Sequence, residues 1–155
     1  MDQHVRDAIF QTFSEVFETM FFTFLEPVSE LPAREEAALP GHYIEASIGY
    51  SGGYRGDFRF YFPLGLAKNI TINFLGVNDD EVTGSQIRDT AAETANMAIG
   101  GLLGKLDPAG TASLAIPAAR ELAAFSPASL LEQEGLSLFA TEFGLLWVVG
   151  SHGQQ

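Results

Sequence analysis

Between residues 5 and 25 the apolar positions Val5, Ile9, Phe13, Val16, Phe17, Met20, Phe21 and Phe24 recur at helical spacings. This pattern predicts a heavily apolar helix that needs a broad surface to cover. Glu26-Pro27 ends it, and residues 27–40, with their prolines, read as a connection containing a short helical turn. From residue 43 to 50 the period changes to two, with Ile44, Ala46, Ile48 and Tyr50 on one side and Glu45, Ser47 and Gly49 on the other. Ser51-Gly52-Gly53 supplies a turn, after which Phe58, Phe60 and Phe62 alternate with Asp57, Arg59 and Tyr61 to give the hairpin partner, closed by Pro63. A shorter helix is expected over 64–75, and an acidic bend at Asn78-Asp79-Asp80-Glu81 leads into a long helix. Beyond that helix, 113–116, 136–141 and 145–149 are rich in β-branched, aromatic and large aliphatic residues and read as three more strands. The order of elements predicts an α+β fold, a largely antiparallel sheet with long helices packed on one face, in a single domain spanning 1–155.

The long helix opens at Thr83-Gly84-Ser85-Gln86, whose Thr and Gln at the first and fourth places suit a capping box, and runs to about residue 106. At about 100° per residue, Ile87, Ala91, Ala95, Ala98 and Leu102 gather on one side, while Asp89, Glu93, Asn96 and Gly100 form a narrow stripe almost opposite. The stripe is expected to face solvent. Small residues on the buried side allow close approach to a neighbour, which makes the helix a rigid scaffold.

Charge and composition narrow the function. With 8 Lys and Arg against 20 Asp and Glu, the net charge of −12 would repel phosphate backbones and anionic lipid, so nucleic acid and membrane are disfavoured as partners. The absence of Cys excludes disulfides, thiolate zinc sites and a Cys nucleophile. No apolar run approaches the ~20 residues that span a bilayer, and the start lacks a secretory pattern, so a cytoplasmic location is expected. His4, His42 and His152 are dispersed without metal spacing and read as ordinary surface or loop residues. Gly49, Gly52, Gly53 and Gly56 fall at the hairpin with no Lys-Ser or Lys-Thr behind them, so they read as a turn rather than a phosphate cradle.

An acid and an Asn one turn apart are by themselves what any solvated helix offers. The wider string Asp89-Thr90-Ala91-Ala92-Glu93-Thr94-Ala95-Asn96-Met97-Ala98-Ile99-Gly100, however, resembles the signature of the CheC, CheX and FliY phosphatases, and its Asn-Met and following Gly resemble the CheX branch. Ser14-Glu15-Val16-Phe17-Glu18-Thr19-Met20 is likewise similar to the opening helix of CheX proteins. Glu15 and Glu18 have no Asn after them, so the second signature copy of CheC is missing and one site per chain is implied.

The resemblance implies a phosphatase that hydrolyses the aspartyl-phosphate of a CheY-like response regulator. Glu93 and Asn96 would be the catalytic pair, with Asp89, Glu93 and Gly100 facing the partner. It also implies a homodimer joined through the sheet, no cofactor of its own, and Mg²⁺ supplied by the phosphorylated partner. The residue types suit this chemistry. An amide oxygen accepts a hydrogen bond from the attacking water while its NH2 donates to a phosphoryl oxygen, and no titration is needed near neutral pH. A carboxylate three residues earlier shares the face and can pair with a partner Lys. The alternative is a non-catalytic dimeric adaptor that binds a signalling partner through the same helix.

Overall fold

The computed structural model describes residues 1–154. In chain order they form α1 (Gln3–Phe21), β1 (Glu26–Pro27), α2 (Arg34–Ala37), β2 (Gly41–Gly52), β3 (Tyr54–Pro63), α3 (Leu64–Leu75), α4 (Gly84–Leu106), β4 (Ala112–Leu114), β5 (Ala118–Phe125), β6 (Leu136–Thr141) and β7 (Gly144–Gln154). The strands make one antiparallel sheet in the order β1-β6-β7-β3-β2-β4, with β5 sharing the β2 edge with β4. This is the α+β arrangement that the element order predicts.

The alternation in β2 and β3 sets one sheet face inward. Ile44, Ala46, Ile48, Phe58, Phe60 and Phe62, joined by Leu146 and Val148 of β7, meet the apolar faces of α1, α3 and α4 in the main core. Ring contacts knit the layers: Phe13 of α1 lies 5.3 Å from Phe60 of β3 and 6.1 Å from Phe139 of β6, centroid to centroid. A smaller cluster on the opposite face gathers Tyr61, Leu138, Trp147 and Val149 under Ala37 of α2 and Leu130. Among the described residues no helix is long and apolar enough to cross a membrane.

Three sequence expectations need correction. The strand expected over 113–116 is shorter, and a second strand, β5, follows it over residues for which no element is expected from the sequence. Backbone pairing to β2, from Gly41↔Phe125 to Ser47↔Ala118, holds β5 extended although most of its side chains are exposed. His42 and His152 lie in strands β2 and β7, half-buried, rather than in loops.

The first helix also stops four residues before 25. Phe22 takes the left-handed conformation, φ 52° and ψ 36°, and the Phe21 carbonyl accepts from the Asn73 amide of α3 at 2.7 Å and from the Thr23 hydroxyl at 3.0 Å. Glycine is the residue that adopts this conformation without strain, whereas an L side chain costs on the order of 1 kcal/mol. With its ring 74% exposed, Phe22 contributes little burial in return. Phe22→Gly is therefore expected to leave the thermal midpoint unchanged or raise it by roughly 2–4 °C, as differential scanning calorimetry would measure.

Candidate functional site

The N-terminus of α4 is built as its sequence suggests. The Thr83 hydroxyl accepts from the Gln86 N–H at 3.1 Å, and the Gln86 side-chain oxygen accepts from the Thr83 N–H at 2.9 Å. Ala91, Ala95, Ala98 and Leu102 are fully buried against the sheet, together with Thr94, whose hydroxyl donates to the Thr90 carbonyl at 2.7 Å. Small side chains bring neighbours close. A Cβ added to Gly101 would stand 2.9 Å from the Thr12 methyl of α1, and one added to Gly100 would stand 3.4 Å from Leu114 of β4. The helix is thus held closely against α1 at Gly101 and against β4 at Gly100, the last member of the stripe.

The stripe lies opposite. Asp89 is exposed, while Glu93, Asn96 and Gly100 are half-buried, so the expectation that the whole stripe stands free in solvent holds only for Asp89. None of the side chains of Asp89, Glu93 and Asn96 makes a hydrogen bond or ion pair with another described residue. Their neighbours do: Arg88 lies 3.9 Å from Glu121 of β5, which also approaches His42 of β2 at 2.5 Å, and Lys105 lies 3.7 Å from Glu15 of α1. The helix therefore offers one carboxylate and one amide, a turn apart, on a fixed backbone with their polar atoms unclaimed by the chain. Such a pair can accept from and donate to an outside group without first breaking an internal bond. Among the described residues no three His, Cys, Asp or Glu side chains gather to hold a metal ion.

The far end of α4 is anchored by a group of residues that sequence reasoning left aside. Burial raises the Asp107 carboxyl, but hydrogen bonds from the Ala112 and Thr111 N–H groups and the Thr111 hydroxyl outweigh it and hold the carboxyl below its ordinary value. Alongside, Tyr50 and His152 Nδ1 are 2.5 Å apart, and Tyr54 stacks on the imidazole at 5.0 Å. Gly56 lies flat beneath the Tyr50 ring, which a Cβ there would overlap. Burial, with the charge of Asp57, pushes Tyr50 up to about 12, so the phenol keeps its proton near neutral pH.

Burial is also the largest influence on His152 and lowers it below its ordinary value, against the opposing pull of Asp2 and Asp107. A depressed imidazole favours the neutral form in the folded chain, so the unfolded chain binds more protons as pH falls. The stability this contributes is complete above about pH 6.5 and is lost as pH falls from there through the depressed value. Urea midpoints measured from pH 7.5 to 5 should fall with pH in the wild-type chain, and His152→Gln should flatten that slope.

Comparison with known proteins bears on the family and the fold. The family model described as chemotaxis phosphatase CheX matches residues 44–138, more than half of the chain and all of α4. The fold is similar to that of chemotaxis protein CheX from Vibrio vulnificus, with a TM-score of 0.76 at 22% identity over 97% of this chain and 99% of that one. It is also similar to chemotaxis protein CheX from Desulfovibrio desulfuricans, with a TM-score of 0.71 at 17% identity over 97% and 99%. A third similar structure is the CheX–CheY–BeF3–Mg²⁺ complex from Borrelia burgdorferi, with a TM-score of 0.63 at 13% identity over 97% and 98%. No curated protein sequence matches the chain.

Proposed function

The chain belongs to the CheX family, and on that premise we propose that it hydrolyses the aspartyl-phosphate of a CheY-like receiver domain, with Asn96 orienting the water and Glu93 docking the partner. The observation that carries this reading is the pair itself: Glu93 and Asn96 stand one turn apart on α4, with no partner among the described residues.

Water attacks phosphorus, the bond to the aspartyl oxygen breaks, and the receiver's carboxylate leaves with the electron pair as inorganic phosphate forms. The Asn96 amide oxygen accepts from the water while the amide NH2 donates to an equatorial phosphoryl oxygen. Neither role needs a proton-transfer group, which suits an amide. Glu93 pairs with a Lys of the receiver and fixes the register of the inserted amide, with Asp89 and Gly100 extending the contact along the same stripe. Mg²⁺ comes with the phosphorylated receiver, as the ion in the Borrelia complex suggests.

The deciding experiment follows phosphate release from a phosphorylated CheY-type receiver with and without this protein. Acceleration that saturates with receiver concentration is the expected result. Binding without acceleration would overturn the reading in favour of the adaptor.

The same proposal includes a homodimer through the sheet, and the two edges differ in a way that supports β5 as the joining strand. The β6 edge is covered: β1 pairs with it, the Val28 N–H donates to the Leu138 carbonyl, and the Arg6 guanidinium donates to the Leu136 and Glu134 carbonyls at 3.2 and 3.0 Å. Among the described residues β5 pairs with β2 alone. Sedimentation equilibrium should give twice the 16.7 kDa chain mass, and a single-chain mass would overturn the dimer without touching the phosphatase reading.

A further inference from the structure

At the end of the molecule where α1 stops, three phenylalanine rings face outward: Phe22 is 74% exposed, Phe24 70% and Phe143 42%. Thr23 and Leu25 between and after the first two are buried, so the segment alternates and presents both rings on one side. The backbone beneath them is fixed. The Thr23 N–H donates to the Phe17 carbonyl at 3.0 Å, and Asn73 and Thr23 both donate to the Phe21 carbonyl. Phe143 sits at the β6–β7 tip, where its N–H donates to the Thr141 hydroxyl, which in turn donates to the Gly144 carbonyl. A strained left-handed backbone that displays an unburied aromatic ring brings little to this chain's own packing, so the display points outward.

The chemistry of the cleft between these rings selects its occupant. About 220 Å³ in volume, it is lined by Phe22, Phe24, Phe143, Asn69, Asn73 and Glu142, and no Lys or Arg reaches it. The side chains of Asn69 and Glu142 have no hydrogen-bond or ion-pair partner among the described residues. Aromatic faces beside a free carboxylate and a free amide oxygen match a planar cation that stacks and donates at its edge. The space fits one long side chain. The ring area that continues outside the cleft calls for apolar residues on either side of it, which a protein segment carries and a free amino acid does not.

We propose that this aromatic end is a docking site for an arginine side chain flanked by apolar residues on a partner protein. The overall charge of −12 adds a general attraction for such a segment. The site is independent of α4, and its test does not depend on phosphatase activity.

The test is a ¹⁵N-resolved NMR titration of the full chain with a blocked pentapeptide that has arginine at its centre and leucines beside it. The control peptide carries citrulline, which keeps the shape and loses the charge. Saturable shifts of the Asn69 and Asn73 side-chain amides and of the backbone at Phe22 to Phe24 are expected, with the citrulline peptide at least about fivefold weaker. Phe22→Gly and Glu142→Gln should each weaken the arginine peptide by at least about threefold while circular dichroism stays unchanged. Equal response to both peptides, unaltered binding by Phe22→Gly, or shifts that scatter over other acidic surfaces would overturn the proposal. So would shifts at these residues on raising the concentration of the protein alone, which would make a second copy the occupant.

Discussion

Asn96→Ala is expected to slow receiver dephosphorylation at saturating partner by roughly 10² or more, the loss typical of removing a group that positions or stabilises the reacting atoms. The fold should be unaffected. Asn96 is half-buried, its side chain bonds to no described residue, and alanine is the better helix former, so the stability change should stay within about 0.5 kcal/mol. Asn96→Asp sharpens the test. It keeps the shape and an acceptor for water but replaces the donating NH2 with a charged oxygen beside the phosphoryl group, so it too should lose most of the acceleration. A variant that unfolds, or an Asn96→Ala protein with full activity, would remove Asn96 from the mechanism. Thermal melts beside the rate assay separate those outcomes.

What could be read from the sequence follows the strength of each local signal. The start of α4 was legible because Thr83 and Gln86 cap it reciprocally, and its buried face was legible because Ile87, Ala91, Ala95, Ala98 and Leu102 keep one period. The hairpin of β2 and β3 was legible for the same reason at period two. The strand β5 was not. Ala118-Ala119-Arg120-Glu121-Leu122 neither alternates nor carries β-branched residues, and its extended form is imposed by the edge of β2. The stop of α1 was hidden because it depends on Asn73, distant in sequence, reaching the Phe21 carbonyl.

The site divides along similar lines. Periodicity alone puts Glu93 and Asn96 on one face, but it does not give their half-burial, nor the approach of Leu114 to Gly100, because a helical wheel holds no neighbouring element. The anchor at Tyr50, Tyr54, His152 and Asp107 was missed because its members belong to β2, β3, β7 and the end of α4. Isolated polar residues in sequence carry no sign that the sheet will gather them. The only available signal was Gly56, whose missing side chain makes room for the Tyr50 ring.

Glu93→Ala should fail in a different way from Asn96→Ala. If the carboxylate pairs with a receiver Lys, its loss weakens association and raises the half-saturating receiver concentration by about tenfold, roughly 1.4 kcal/mol, while the saturated rate changes little. Asn96→Ala should instead lower the saturated rate with a small change in half-saturation. Ionic strength distinguishes the two again. A half-buried carboxylate that meets a partner cation is partly screened, so the wild-type advantage over Glu93→Ala should shrink between low salt and about 0.5 M, whereas the Asn96 defect at saturation should persist. Dephosphorylation rate against receiver concentration, at both salt levels and for both variants, measures all four quantities. Matching profiles would mean that the carboxylate and the amide act as one unit on the phosphoryl group, because removing either member of such a unit costs about as much as removing both.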